Sequence, residues 1–529
     1  MSTKRSFLRD AAPLLIIAAV FIGLISAATI GPTGLSGFTW VNSTNIDADD
    51  FYRGGENFTS WIETEIAAAP GGGGDNFTIS GGGFSVATSI VRYNGSTTDY
   101  DCRDGTTGAI VSSHADPANA IEAMWARGGT GYTEGAGQTW TIQTQILGQG
   151  DYFTWNSDHD LIIKAKVNLN DHMIELDGDD WIVFDGVRLH GNEDNQASDK
   201  NGIEATHSQY LDFRNLFIEE CGQYGIRVRS DSSRNTFVVR ITDGTFTHNG
   251  WNGITVEDDI SSIFIDGNYV ANSSDVGISI PANADLAQLQ MQTQITCTNN
   301  IVEDINLGEG GGGNAARGIS IEGRAQKVIV TGNQVDLCAI GISVATSTGD
   351  DASERWIEHI EILISNNILT NIGNAAWQEA IAYGGAYGET GRAVISGNYA
   401  HVDVSGAACL EITNATNVNV YGNTFYSATG GSNGIEAYNA DFNNFAENII
   451  NVAGIGIDLD GASDNNKVSG NMIDAGVDGL ELDSGCDETI VDGNDFSQSA
   501  NDVDDNSGQT VHYGYNLSDG GAWAITALG

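Results

Sequence analysis

An asparagine returns nine times in the second half of this chain within almost the same five residues: DGNYV, TNNIV, TGNQV, SNNIL, SGNYA, YGNTF, AENII, SGNMI and DGNDF. The asparagines are Asn268, Asn300, Asn333, Asn367, Asn398, Asn423, Asn448, Asn471 and Asn494, at spacings of 32, 33, 34, 31, 25, 25, 23 and 23. A unit of that length cannot bury its own apolar face, so neighbouring units must stack into a solenoid.

A second mark follows each asparagine by about one strand and a turn: VGISI at Val276, RGISI at Arg317, IGISV at Ile340, NGIEA at Asn433, IGIDL at Ile455 and DGLEL at Asp478. Looser versions stand at Asp185, Asn201, Phe213, Tyr224 and Asn252. Both marks alternate apolar and polar residues, the period of a half-buried strand. The Gly, Asn, Asp and Ser between them accept the left-handed backbone of sharp turns. Stacked coils set equivalent side chains about 4.8 Å apart, and columns of isoleucine should fill the interior.

With these marks the chain resembles the right-handed parallel β-helix proteins of the pectate-lyase-like superfamily, over roughly residues 113 to 515. The stretch after Ala115, DPANAIEAMWARGGTGYTEGAGQTWTI, is similar to that family's opening segment: a capping helix, a Gly-Gly-Thr turn and a first strand. The resemblance implies an all-β solenoid. It leaves the chemistry open, because this scaffold hosts lyases, hydrolases, epimerases, viral tailspikes and inert surface proteins. Likeness to tailspike stems implies a homotrimer. The Gly-His-Gly and Arg-x-Lys motifs of polygalacturonase-like hydrolases are absent, as is the Asp-Pro-His-Asp of alginate epimerases.

Seventy acidic residues face 22 basic ones, a formal net charge of −48. Such self-repulsion weakens a folded domain unless concentrated salt screens it, which points to a halophile of haloarchaeal type. It also excludes nucleic acid as a partner, which requires a positive footprint.

Residues 1–30 place Lys4, Arg5 and Arg9 before an apolar run that begins at Pro13, a signal peptide or a transmembrane anchor with everything after Thr29 outside. Seven N-x-S/T sequons, at Asn42, Asn57, Asn76, Asn94, Asn272, Asn414 and Asn516, agree with an extracellular glycoprotein. Residues 31–112 read as a Gly-rich, sequon-rich stalk or small β module, 113–145 as the solenoid's cap, 146–500 as the β-helix and 501–529 as a C-terminal cap or tail. The six cysteines show no C-x-x-C spacing and read as small core residues.

Ligands must meet the outer face of a packed solenoid. Aligning the Gly-Ile marks of three early coils places Glu204, Arg227 and Thr255 in one outward column and Thr206, Arg229 and Glu257 in the next. His190, His207, His248, Tyr224, Trp251, Asp258 and Asp259 flank it. Acids beside arginine and aromatic walls suit sugar chemistry, with Glu204, Arg227, Arg229, Glu257, Asp258, Asp259 and His248 as candidate catalytic residues. The plainer reading of the same residues is a cross-strand salt-bridge ladder, contributing about 0.2–1 kcal/mol per pair.

In the late coils Glu411, Glu436, Asp458 and Glu481 share one outward position, with Asp460 and Asp483 two residues on. The column reads as a hydrated acidic face or a row of weak Ca²⁺ or Mg²⁺ sites. Tyr224, Trp251, Trp377, Tyr383 and Tyr438 are candidate sugar-stacking rings.

The expectation is an extracellular β-helix that binds envelope glycans or glycoproteins, or serves as an adhesive spike in high salt. The alternative is a lyase or hydrolase of acidic polysaccharide. Neither reading requires a cofactor. Because only salt screens the charge, the β-sheet circular dichroism should be lost as salt is dialysed below about 0.5 M; full retention would remove the halophilic reading.

Overall fold

The computed structural model describes residues 87–196, 200–230, 236–257, 260–281, 294–305, 316–323, 325, 327–345, 361–373, 379–384 and 392–518. Of five short strands, Thr29–Gly31, Gly34–Ser36, Tyr52–Arg53, Glu56–Asn57 and Gly521–Ala522, it describes the backbone. The chain divides into two units, Met1–Ser85 and Val86–Gly529. In the first, Thr29–Gly31 pairs with Gly34–Ser36, and Tyr52–Arg53 with Glu56–Asn57, both antiparallel. The apolar segment before Thr29 lies outside the described residues, among which no helix is long and apolar enough to cross a membrane.

The second unit is the solenoid, wound from three parallel sheets. A coil runs through Ile203–Thr206 on the first sheet, Tyr210–Arg214 on the second and Phe217–Glu219 on the third, then returns to the first at Ile226–Arg229. Among the described residues the first sheet has 14 strands, from Ile146–Leu147 to Asn501–Asp505, and the third has 13, from Thr139–Ile142 to Met472–Ala475.

The interior column expected of the Gly-Ile mark is present. Ile203, Ile226, Ile254, Ile278, Ile319, Ile342 and Ile381 pair in unbroken register and are fully buried. The glycine of the mark serves close approach: a Cβ on Gly225 would stand 2.6 Å from the Gly253 carbonyl oxygen. A left-handed residue stands directly before the repeated asparagines, where Gly267, Asn299, Gly332 and Asn366 have φ between 54° and 70°. Glycine and asparagine recur there because they tolerate that conformation.

The asparagines form a buried ladder at the corner between the second and third sheets. In each rung the backbone N–H and the Nδ2 both donate to the Oδ1 of the next. For Asn398 these bonds to Asn423 are 3.0 and 2.9 Å, and Nδ2 also donates to the Ile364 carbonyl at 3.0 Å. The ladder continues one rung beyond the repeat, to Asn516, whose Oδ1 accepts from Asn494 at 2.9 and 3.0 Å. That corrects the reading of Asn516 as a glycosylation acceptor: it is 2% exposed, with its amide nitrogen turned to the Val491 carbonyl. Among the other sequons, Asn272 and Asn414 occupy left-handed corners, and the Asn94 amide donates to Asp101. Asn42 and Asn76 lie outside the described residues, as does the side chain of Asn57.

The stretch expected to be a separate stalk divides at Ser85. Ser89–Asn94 pairs in parallel with Gly129–Glu134 of the second sheet and antiparallel with Asp99–Asp104, which pairs with Ile110–His114. The helix Pro117–Trp125 covers the first coil: Asp116 accepts from Ala118 N–H at its N-terminus, and Trp125 stacks on Phe153 at 4.8 Å. At the other end, the strands Asn501–Asp505 and Val511–Tyr513 extend the coil into the predicted tail. The six cysteines are buried free thiols.

Replacing Asn398 by Ala removes the acceptor of Asn367 and the donors to Ile364 and Asn423, and each buried group left unmet costs about 1–3 kcal/mol. Denaturant unfolding should show a loss of several kcal/mol, whereas Asn272→Gly, which keeps the left-handed backbone at an exposed corner, should change little; equal effects would deny the ladder its structural weight.

Candidate functional site

The early outward columns lie on the strands Ile174–Asp177, Ile203–Thr206, Ile226–Arg229 and Ile254–Glu257. Their register aligns Glu175, Glu204, Arg227 and Thr255, and beside them Asp177, Thr206, Arg229 and Glu257. This is the alignment expected from the sequence, lengthened by one rung at Glu175 and Asp177.

Glu204 is 3% exposed. Asn201 Nδ2 donates to its Oε2 at 2.5 Å, Arg229 Nε lies 3.0 Å from its Oε1, and Arg227 Nη1 lies 4.0 Å from the same oxygen. Burial pushes its pKa above the ordinary value, and Arg227 and Arg229 offset that only in part. Arg227 Nε donates to Glu257 Oε1 at 2.5 Å. Burial disfavours the Arg227 charge, but Glu257 and Glu204 outweigh it and raise its pKa. The guanidinium sits 5.1 Å from the centroid of Tyr224, which meets Trp251 edge-on at 5.8 Å. Tyr224 is nearly buried behind the arginine, and Trp251, 47% exposed, presents the open ring.

Sequence reasoning missed His172. Its Nδ1 accepts from the Asn201 N–H at 3.2 Å, which leaves the proton of the neutral ring on Nε2. Burial, then the charge of Lys200, lowers its pKa to about 4, with Arg227 and Arg229 adding smaller effects. The available signal was weak, because Met173 stands where the mark carries glycine.

A second missed feature is an exposed row of rings at the corner leading into the second sheet. Tyr152 stacks on Trp181 at 6.1 Å, Trp181 on Tyr210 at 3.8 Å, and Tyr210 tilts against Phe237 at 6.0 Å. Asp151 accepts from Asp180 N–H, and Asp180 from Gln209 N–H, each at 2.8 Å, so a short aspartate ladder fixes these corners.

Other expected members lie apart from the Glu204, Arg227 and Glu257 contacts. His190 is on the third sheet, 3.4 Å from Glu220, and His207 turns to Asp177 at 2.8 Å. His248 stands exposed at the left-handed corner after Thr245–Thr247. Asp258, Asp259 and Trp377 lie outside the described residues. Tyr383 is an interior residue, 3% exposed between Val344 and Ile412, which rules it out as a stacking platform; burial pushes its pKa up to about 12. Tyr438 is outward and exposed, between Thr413 and Asp460.

The late acidic column also has the expected register, Glu411–Glu436–Asp458–Glu481, and continues to Asp504. Thr413 donates to Glu411 and Asn433 to Glu436, each at 2.7 Å. Burial first, then Glu481 and Glu436, raises the Asp458 pKa to about 7. Burial also leads the upward shifts of Glu436, Glu481 and Asp483; Asp483 adds to that of Glu481, and Asp460 to that of Asp483. Among the described residues no group of three or more His, Cys, Asp or Glu is arranged to hold a metal ion. The carboxylates form a file along the axis.

The sign of the resulting pH dependence follows from linkage. A carboxyl group whose folded pKa is raised binds its proton more tightly when folded, so its stabilisation is full below the ordinary value of 3.8 and is lost as pH rises through about 7. Asp458→Asn should therefore raise the thermal midpoint at pH 8 relative to the parent chain and leave it nearly unchanged at pH 4. Identical midpoints at pH 8 would mean that the column ionises without strain.

A comparison with curated protein sequences finds no match. Among solved structures, the chain is similar to the A-module of the Azotobacter vinelandii mannuronan C-5 epimerase AlgE6, at 14% identity and TM-score 0.36, covering 75% of this chain and 93% of that one. It is similar to tailspike protein 3 of bacteriophage CBA120 at 12% identity and TM-score 0.47, covering 87% and 68%. For PfbA, a surface adhesin of Streptococcus pneumoniae, the values are 14% and 0.35, covering 78% and 93%. The family model described as right handed beta helix region matches residues 172–353 and 317–496, more than half of the sequence. With three parallel sheets wound coil upon coil through those residues, the chain belongs to the right-handed β-helix family.

Proposed function

We propose that this protein binds glycan chains along the outer face of its first sheet, at Arg227, Arg229, Glu257, His172 and Trp251. One observation carries the reading: cations, a neutral imidazole and an open indole are gathered on adjacent rungs of a chain that is otherwise overwhelmingly acidic. Nine of the 22 Lys and Arg residues fall between Lys164 and Arg240, and only Lys467 follows Arg392. Arginine's fork suits a sugar carboxylate, and an exposed indole suits the apolar face of a sugar ring. The ligand class is therefore an acidic polysaccharide or an envelope glycan bearing carboxylates. The positive N-terminal flank, the apolar run and the sequons support an extracellular or surface-held protein, and the net charge supports a haloarchaeal-type, high-salt setting.

Hydrolysis or elimination on the same face is the second reading, favoured by the raised pKa of Glu204, a property of general acids. Burial argues against it: at 3% exposure, with Asn201 and Arg229 on its oxygens, Glu204 is turned toward its neighbours and away from a bound sugar. Glu204 positions the arginines, and Glu257 is the more accessible acid.

The test is titration of the full chain with acidic polysaccharides in about 3 M salt, where the screening length is below about 3 Å and affinity rests on direct contacts. Arg229→Ala and Trp251→Ala should each weaken binding by about tenfold or more with circular dichroism unchanged. Unchanged affinity in both would move the site elsewhere. New reducing ends or unsaturated sugars in the same samples would replace the binding reading with the enzymatic one.

A further inference from the structure

We infer that the outer face of the third sheet is the surface through which copies of this chain associate. From Asn268 to Asn471 the residue after each ladder asparagine opens a third-sheet strand and points outward, and Asp495 follows Met472 beyond the last strand. In this column Ile301, Ile368, Tyr399, Ile449 and Met472 are between 37% and 57% exposed. Register pairing puts them in one file, with Gln334 and Thr424 filling the remaining rungs. Aligned exposed apolar residues differ from the scattered ones of an ordinary surface and mark an interaction face.

Charge selects the occupant. Four consecutive strands of this sheet, Ile368–Ile372, Tyr399–Val402, Thr424–Ser427 and Ile449–Val452, contain no Asp, Glu, Lys or Arg. Their titratable side chains are Tyr399, His401 and Tyr426, and His401 lies 2.9 Å from Asp403, an acid exposed just past the end of its strand, and 4.8 Å from Tyr426. In the same coils the first sheet carries Glu411, Glu436 and Asp458, and the second sheet carries Glu361 in the coil of Ile368 and the polar Asn419 and Asn444 outward in later ones. A basic partner would seek the acids of the first sheet. Two copies that each carry −48 repel over most of their surface, and the charge-free strands with their apolar file are a face where that repulsion is small.

Size sets the strength. Three rung spacings separate Ile368 from Ile449, about 14 Å, and a four-residue strand is about 13 Å wide, so the charge-free part of the face offers roughly 190 Å² per copy, with Ile301 and Met472 extending it on strands that also carry Glu303 and Asp474. An interface of that area belongs to weak, reversible association, which salt strengthens by screening the repulsion and favouring apolar burial.

The experiment is sedimentation equilibrium of the full chain over a wide concentration range and at increasing salt. The average mass should rise with concentration and with salt toward two or three copies. The double variant Ile368→Asp, Ile449→Asp should weaken association by about tenfold or more at unchanged circular dichroism, because both side chains point outward. Asn444→Asp, on the adjacent polar face, should leave association as it was. The apolar N-terminal segment is common to all three proteins and contributes no difference between them. A chain monomeric under every condition, association that salt weakens, or a double variant that associates as the parent does would each overturn the assignment.

Discussion

The amide-to-amide contact at one corner sets the geometry on which everything else rests. Each ladder asparagine accepts two hydrogen bonds on one oxygen and spends its nitrogen on the next rung and on a backbone carbonyl, so a buried corner keeps its polar groups paired coil after coil. Asparagine suits the place because it carries donor and acceptor without charge. Aspartate stacked at about 4.8 Å would repeat the repulsion seen in the late acidic column, without solvent to relieve it. From this corner the third-sheet strand starts in fixed register, and the file of outward residues that follows is a direct consequence.

The rungs that sequence could reveal are those in which local chemistry repeats. Gly267 and Gly332 before the asparagine, and Gly225 and Gly277 in the second mark, answer backbone demands that return at every coil. Where another residue meets the same demand, the rung disappears from view. Asn516 follows Tyr515 and passes for a sequon, while Met173 hides the strand beside His172. Tyr383 was misplaced because Ala380 stands in for the glycine and blurs which parity faces inward. The row from Tyr152 to Phe237 shares no motif, since its rings are aligned by side chains of Asp151 and Asp180 that look like ordinary surface acids. The antiparallel strands between Ser89 and His114 have no period to read at all.

The electrostatic pattern becomes intelligible once the sheets are separated. Acid is spread along the sequence, yet in the late coils the first sheet gathers it in a file, while the third-sheet strands Thr424–Ser427 and Ile449–Val452 carry none. Cations gather on the early first sheet, where Arg227 links two carboxylates that would otherwise oppose one another. A single scaffold thus separates a mixed-charge face, an acidic face and an apolar face by position along and around one axis.

The spacing of the ladder has a consequence for how such a chain can change. From Asn268 to Asn494 its rungs lie between 34 and 23 residues apart, yet the corner itself is invariant: one left-handed residue, then the asparagine, as in Asp266–Gly267–Asn268–Tyr269 and Ser469–Gly470–Asn471–Met472. All the variation in length falls on the other corners, and stretches such as 282–293 and 346–360 follow strands of the first sheet. The solenoid therefore behaves as a loom with one fixed selvedge, where segments of foreign sequence can be woven in beside the first sheet while the pattern along the ladder stays intact.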